Sequence, residues 1–223
     1  MFTKHSDLPS HLGALQVPNL PPWSLQQPKL DLFALTFIRR TGSHLIAPLI
    51  KSYMHEHYSH HVHIYIDGSA TATTAGFGVY METINKRYAV TLTQTTSSFS
   101  SELYAILYVL YCLFTFKSTK ALILSGSLSE LQAISTRTVK KHSFTNKINI
   151  LSSKLHIAGC EVVFTWVPGH SGFPGNEIAD TLAILASSSI PQTNMHAHRK
   201  IVQSSLNHSD ISPHRRSLLE ILE

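Results

Sequence analysis

Between Thr165 and Ala183 the chain reads Thr-Trp-Val-Pro-Gly-His-Ser-Gly-Phe-Pro-Gly-Asn-Glu-Ile-Ala-Asp-Thr-Leu-Ala. A short apolar strand ends at Trp166, a loop with three glycines and two prolines then holds His170, and Asn176 is placed to cap a helix. Glu177 and Asp180 fall in the first turn and a half of that helix. Few folds need this order of parts. A loop histidine supplies proton transfer, and an aspartate just inside a helix N-terminus is held ionised, ready to bind a cation. The stretch therefore points to metal-assisted chemistry on an anion.

Upstream, Val62 to Asp67 alternates and ends in Asp-Gly-Ser, so a strand carries a carboxylate to its own terminus, where Gly68 lets the chain turn. Ala75 to Glu82 and Arg87 to Thr93 read as two further strands around a polar turn, which makes an antiparallel meander. A polar run from Gln94 to Ser101 introduces a helix with Glu102 expected in its first turn. Its apolar positions Leu103, Ile106, Leu107, Leu110, Leu113 and Phe114 are spaced to lie on the sheet. A strand over Ala121 to Leu124, helices over Leu128 to Thr136 and around Ile148 to Ile157, a last strand over Glu161 to Trp166 and a last helix over Asn176 to Ala186 complete the order. The prediction is an α/β fold: a mixed five-stranded sheet, antiparallel meander plus parallel strands, with helices on both faces.

Residues 1–60, rich in Pro, His, Leu and Ser, read as linker or the residue of an upstream segment, poorly ordered, with a short helix over Leu45 to Tyr58. Residues 61–189 form the domain, and 190–223 a polar tail with a short helix over 213–222. The histidines at 55, 57, 60, 61 and 63 break the His-Glu-x-x-His spacing and read as a polar lead into the first strand of the domain. Cys112 and Cys160 have no disulfide framework around them, and no apolar leader stands at the start, so a cytoplasmic or nuclear setting is expected over secretion. The longest apolar run, Leu103 to Phe116, is too short for a membrane span. A formal charge of +5 leans toward a polyanionic partner.

Asp67, Glu102 and Asp180 converge at one edge of such a sheet. Clustered carboxylates repel and are stable when cations intervene. Ile-Asp67-Gly-Ser, Ser98-Phe-Ser-Ser-Glu102-Leu-Tyr-Ala-Ile and the motif from Trp166 to Asp180 resemble the type 1 ribonuclease H domain, in the variety attached to reverse transcriptases of non-LTR retrotransposons. The resemblance covers about residues 62–188, and Pro-Pro-Trp at 21–23 resembles the segment that follows the polymerase in those polyproteins.

That resemblance implies cleavage of the RNA strand of RNA–DNA hybrids with two magnesium ions, manganese being a substitute. Asp67 would bridge both ions, Glu102 would serve the second and Asp180 the first, and His170 would assist proton movement or product release. Gly68, Ser69, Ser98 and Asn176 are candidate substrate contacts, with Ser98 and the backbone near Gly68 placed for the minor groove, where the 2′-hydroxyl marks RNA. Arg137, Lys140, Lys141 and Lys147 suit phosphates of the other strand, although a charge run is more often a solvated helix face. The stripe Tyr104, Tyr108, Tyr111 reads as packing.

The family has one more acid, an aspartate directly after the fourth strand, and here that place is Gly126 in Ile-Leu-Ser-Gly-Ser-Leu-Ser. Loss of a hard oxygen ligand predicts impaired catalysis, the alternative being an inactive hybrid-binding module or a decayed retrotransposon remnant. Glu130, the nearest acid, is expected about one turn beyond the site, so that rescue would need a shifted helix start.

Overall fold

The computed structural model describes residues 3–5, 25–38, 43–92, 95–115, 119–136, 143–169 and 172–188. His170, Arg137, Lys140, Lys141, the Pro-Pro-Trp segment and the tail at 190–223 lie outside these residues. Strands β1 (Thr3–His5) and β2 (Lys29–Asp31) precede helices α1 (Ala34–Ile38) and α2 (Ser43–Tyr58). The meander β3 (Val62–Ala70), β4 (Ala75–Met81) and β5 (Lys86–Leu92) follows, then α3 (Ser98–Thr115) and β6 (Lys120–Ser125). Helices α4 (Leu128–Ser135) and α5 (Ser143–Ile157), strand β7 (Glu161–Trp166) and helix α6 (Pro174–Ser187) close the described chain.

The sheet has seven strands in the order β1-β5-β4-β3-β6-β7-β2. Its centre is the expected set of five: β3 pairs β4 and β4 pairs β5 antiparallel, while β6 runs parallel to both β3 and β7. The expectation of five strands is corrected at both edges, where β1 adds to β5 and β2 adds to β7, each in parallel. Three-residue strands carry no periodicity of their own. They form because an exposed sheet edge offers unpaired backbone groups.

Strand alternation sends Ile64, Ile66, Phe77, Val79 and Ile123 to one face, where Ile106, Leu110 and Phe114 of α3 and Ile148, Leu151 and Leu155 of α5 cover them. Tyr108 packs on Phe77 and Tyr88, and Tyr104 on Phe144, so the tyrosine stripe is packing. On the opposite face α6 crosses β4 at Gly76 and Gly78. A methyl group at Gly78 would stand 2.1 Å from the Ala179 carbonyl oxygen, so side-chain-free positions set that approach.

The segment at 25–58, expected as poorly ordered linker, is folded onto the remainder of that second face. Phe33, Ile46, Ile50, Met54 and Tyr58 share a buried cluster with Leu122, Leu124, Val163 and Phe173. Asp31 organises it: one carboxylate oxygen accepts from the backbone N–H of Phe33 (3.0 Å), the other from the hydroxyls of Tyr53 (3.1 Å) and Tyr58 (2.5 Å). The Asp31 carbonyl accepts from Thr165 Oγ1 at 2.6 Å, and Lys29 pairs with Glu161 at 2.7 Å. These partners come from distant parts of the chain, which is why composition read the segment as linker.

Ile50 is fully buried in this cluster. Ile50→Ala is expected to lower stability by about 3 kcal/mol through lost burial and a residual cavity, read by denaturant unfolding. A linker residue would show no change.

Candidate active site

Strand β6 ends at Ser125 and β7 at Trp166; β3, expected to end at Asp67 and turn at Gly68, instead continues to Ala70 along β4, and only its pairing with β6 stops at Ile66. Ile66 pairs with Ser125, and Ser125 with Trp166, so the next residues along the chain, Asp67, Gly126 and Val167, emerge side by side. Two bonds hold the edge together: the indole N–H of Trp166 donates to the Gly126 carbonyl (2.9 Å), and the Val167 N–H donates to the Ser125 carbonyl (3.0 Å). In open α/β sheets such carboxyl ends are where ligands bind.

Asp67 accepts from the following Gly68 N–H at 2.7 Å. By strand alternation it shares the α6 face with Tyr65, while Gly68 turns toward α3. A methyl group at Gly68 would lie 2.5 Å from the backbone nitrogen of Glu102, so only glycine lets α3 come this close. Gly68 is thus a packing position that sets Asp67 and Glu102 near each other. Asp180, partly exposed, sits in the stretch of α6 over Gly78, the register partner of Asp67. Asp67 and Glu102 are thus brought near each other, while Asp180 lies on α6 without joining them in a three-acid group.

Glu102 lies one turn deeper than expected, because α3 begins at Ser98 and Ser97 supplies the cap, its hydroxyl accepting from the Ser100 N–H at 3.2 Å. Its carboxyl is buried, 8% exposed, and accepts from Ser125 Oγ at 3.2 Å. Burial first, then the charges of Glu130 and Asp67, push it up to about 9, against a usual value near 4.5; hydrogen bonds from Ser125 and Ser127 pull the other way. Burial likewise raises Glu130.

Glu130 corrects the sequence reading. Helix α4 starts at Leu128, which puts Glu130 in its first turn, 2% exposed, near enough for its charge to raise Glu102, and accepting from Ser129 Oγ at 3.1 Å. The available signal was its position four residues before Ile134, on the stripe that faces the core.

Asn176 also departs from expectation. The cap residue of α6 is Phe173 with Pro174 at the first helical position, so Asn176 falls inside the first turn. It is 4% exposed, its Oδ1 has no hydrogen-bond partner, and its amide lies 3.7–3.8 Å from where a side chain at Gly126 would begin. Ser69 Oγ accepts from Ser187 Oγ at the end of α6 (2.9 Å), and Ser98 is exposed at the start of α3. His170 lies outside the described residues.

The carboxylates of Asp67 and Glu130, whose charges raise Glu102, are hard oxygen donors of the kind a divalent cation takes. Among the described residues no three His, Cys, Asp or Glu side chains stand close enough to hold an ion as they are arranged. The described histidines near 60 engage acids instead, His61 with Glu161 (3.7 Å) and His63 with Glu82 (3.5 Å).

Because the folded Glu102 takes up its proton more readily than the unfolded chain, its ionised form opposes folding, and stability falls as pH rises from about 4.5 toward about 9. Without divalent ions, Glu102→Gln is expected to raise the Tm at pH 8 by about 4 °C and to leave it unchanged at pH 4, read by calorimetry. An unchanged Tm at pH 8 would contradict the burial of that charge.

Comparison with known proteins adds three findings. The sequence profile of the RNase H family matches residues 59–188. No curated protein matches. Among solved structures, the chain is similar to the N-terminal RNase H domain of a Mycobacterium tuberculosis protein fused to maltose binding protein, at 20% identity and a TM-score of 0.43, over 56% of this chain and 99% of that one. Among the described residues no helix is long and apolar enough to cross a membrane. With its mixed sheet and with more than half its length matched by the family profile, the chain belongs to the RNase H family.

Proposed function

We propose that this chain is an endoribonuclease that hydrolyses the RNA strand of RNA–DNA hybrids with divalent metal assistance. The observation that carries this reading is the meeting of Asp67 and Glu102 across Gly68, where the pairing of β3 with β6 stops and beneath α6, in a member of the RNase H family. Asp67, Glu102 and Asp180 would hold magnesium, or manganese in its place. Such an ion supplies charge neutralisation at a phosphate and a water made more acidic.

The rest is done by this chain. Ser125 and Ser127 hold the Glu102 carboxyl in place and favour its ionised form. The glycine at 68 fixes the α3 approach, and the Trp166–Gly126 bond fixes the mouth of the loop that leads to His170, the candidate proton carrier. Ser98, exposed at the start of α3, is placed to meet a minor groove, where a hydroxyl can read the ribose. Two-metal catalysis, with Asp67 shared, and attachment to an upstream reverse transcriptase in a non-LTR element are the finer reading, supported by the motifs of residues 62–188 and acting in cytoplasm or nucleus.

Gly126 favours a second reading, a hybrid-binding module with impaired or no catalysis. The space there is open: a side-chain carbon would meet nothing nearer than 3.7 Å, so an aspartate fits without displacing backbone. With labelled hybrid and millimolar magnesium, the natural chain is expected to cut the RNA strand, and Asp67→Asn to lose at least about 100-fold in rate. Gly126→Asp is expected to raise the rate by about tenfold or more. Cleavage seen only in Gly126→Asp would establish the binding-module reading for the natural chain, and no cleavage by either would overturn the enzyme reading.

A further inference from the structure

Helix α2 belongs to the part of the chain that precedes the family match, which begins at residue 59. Together with the start of α6 it walls a cavity of about 350 Å³. Lys51, His55 and Ser59 line the cavity from the α2 side, and Phe173 lines it from the side of α6. A spacing of four puts Lys51 and His55 one above the other on a single helix face, and Ser59 follows at the helix end.

The charges of this cavity do not cancel. Its one lining acid is Glu82, just after β4, and that carboxylate is already answered twice. His63 Nδ1 stands 3.5 Å from it, and the Tyr65 hydroxyl donates to it at 3.3 Å. Lys51 has no such partner: among the described residues the ion pairs join Lys29 and His61 to Glu161 and His63 to Glu82. Its ammonium lies 5.9 Å from the centroid of the Phe173 ring instead. Glu56, the one acid of α2, is not among the residues that line the cavity. A lone surface lysine is ordinarily just solvated. Here an unpaired ammonium, an exposed imidazole and an exposed hydroxyl border one concavity, and a concave surface of uncancelled positive charge concentrates anions.

The position of the cavity selects the anion. Asp67, Tyr65 and His63 are alternate residues of β3 and share a face, and the last two line the cavity. At about 3.3 Å per residue, Tyr65 lies about 7 Å and His63 about 13 Å from Asp67 along the strand. A nucleic-acid strand advances about 3.4 Å per nucleotide, so the cavity stands about two to four nucleotides from a phosphate held at Asp67. We propose that the cavity between α2 and the start of α6 binds the phosphate backbone of the RNA–DNA hybrid, with Lys51 and His55 holding phosphates a few nucleotides from the one at Asp67 and Ser59 as a further donor. This rests on the hybrid-directed reading of the domain and adds to it a contact surface supplied by the preceding chain.

The test uses the full chain and a labelled RNA–DNA hybrid without divalent ions, so that nothing is cut, with affinity read by fluorescence anisotropy between about 50 and 200 mM salt. Lys51→Gln is expected to weaken binding about threefold to tenfold at the lower salt and to reduce the slope of log affinity against log salt by about one. Adding His55→Gln is expected to weaken binding further. Ser59→Lys is expected to strengthen binding and to increase that slope by about one. Lys29→Gln, at the sheet edge and already paired with Glu161, is expected to change neither quantity. All four positions are exposed, and an unchanged Tm verifies that each variant is folded. Unaltered affinity and slope in Lys51→Gln overturn the proposal, as does an equal loss in Lys29→Gln, which marks diffuse charge, or absence of hybrid binding by the natural chain. If Lys51→Gln loses affinity and slope while the natural chain cuts no hybrid in magnesium, the phosphate-binding cavity stands and the ribonuclease reading falls. If hybrid is cut and Lys51→Gln binds as the natural chain does, the reverse holds.

Discussion

Helix α3 lies so close to β3 that Gly68 has no room for a side chain, and everything at the candidate site follows from that approach. The contact places the Glu102 backbone against the strand that carries Asp67 and forces the Glu102 carboxyl out of water. Once buried there, it needs donors, and Ser125 and Ser127 at the end of β6 provide them. The same crowding brings in Glu130 from α4. A wider approach would hydrate Glu102 and dissolve the group into separate surface acids. Holding these acids close together costs stability, a cost that a cation between them would offset.

The two faces of the sheet are covered differently, and the difference positions the site. One face is closed by α3, α4 and α5 around a continuous apolar core. The other is shared between α6 over β3, β4 and β5 and the segment at 25–58 over β6 and β7. Because α6 meets β4 at glycines, it lies low across the strands and carries Asn176 to the end of β6 beside Gly126. The segment at 25–58 props β7 and the start of α6 from behind, through Phe33, Ile50 and Phe173, so residues 25–58, outside the matched region, belong to the folded body that carries the site.

Much of this was legible in the sequence. The five central strands announced themselves by alternation and α3 by its apolar spacing, while Asp67 and Glu102, expected at element ends, lie inside β3 and one turn into α3. What was not legible depended on partners far along the chain. Asp31 gathers Tyr53, Tyr58 and Thr165, and no local pattern in 25–58 shows those contacts. Asn176 looked like a cap because asparagine so often is one, but Pro174 fixes the helix start two residues earlier and turns the amide inward. Glu130, expected about one turn beyond the site, shares a face with Ile134 and is buried. Two of these misses, Asn176 and Glu130, lie beside or on the turn where Gly126 departs from the family pattern, as expected where local rules yield to a site.

The account's central claim is that Asp67 and Glu102, where the pairing of β3 with β6 stops, are held together for a divalent cation. Anomalous diffraction from crystals of the protein grown with Mn2+ and an RNA–DNA hybrid tests it most directly. The account predicts a manganese peak against Asp67 and Glu102. Crystals with manganese absent or bound away from both acids would contradict it.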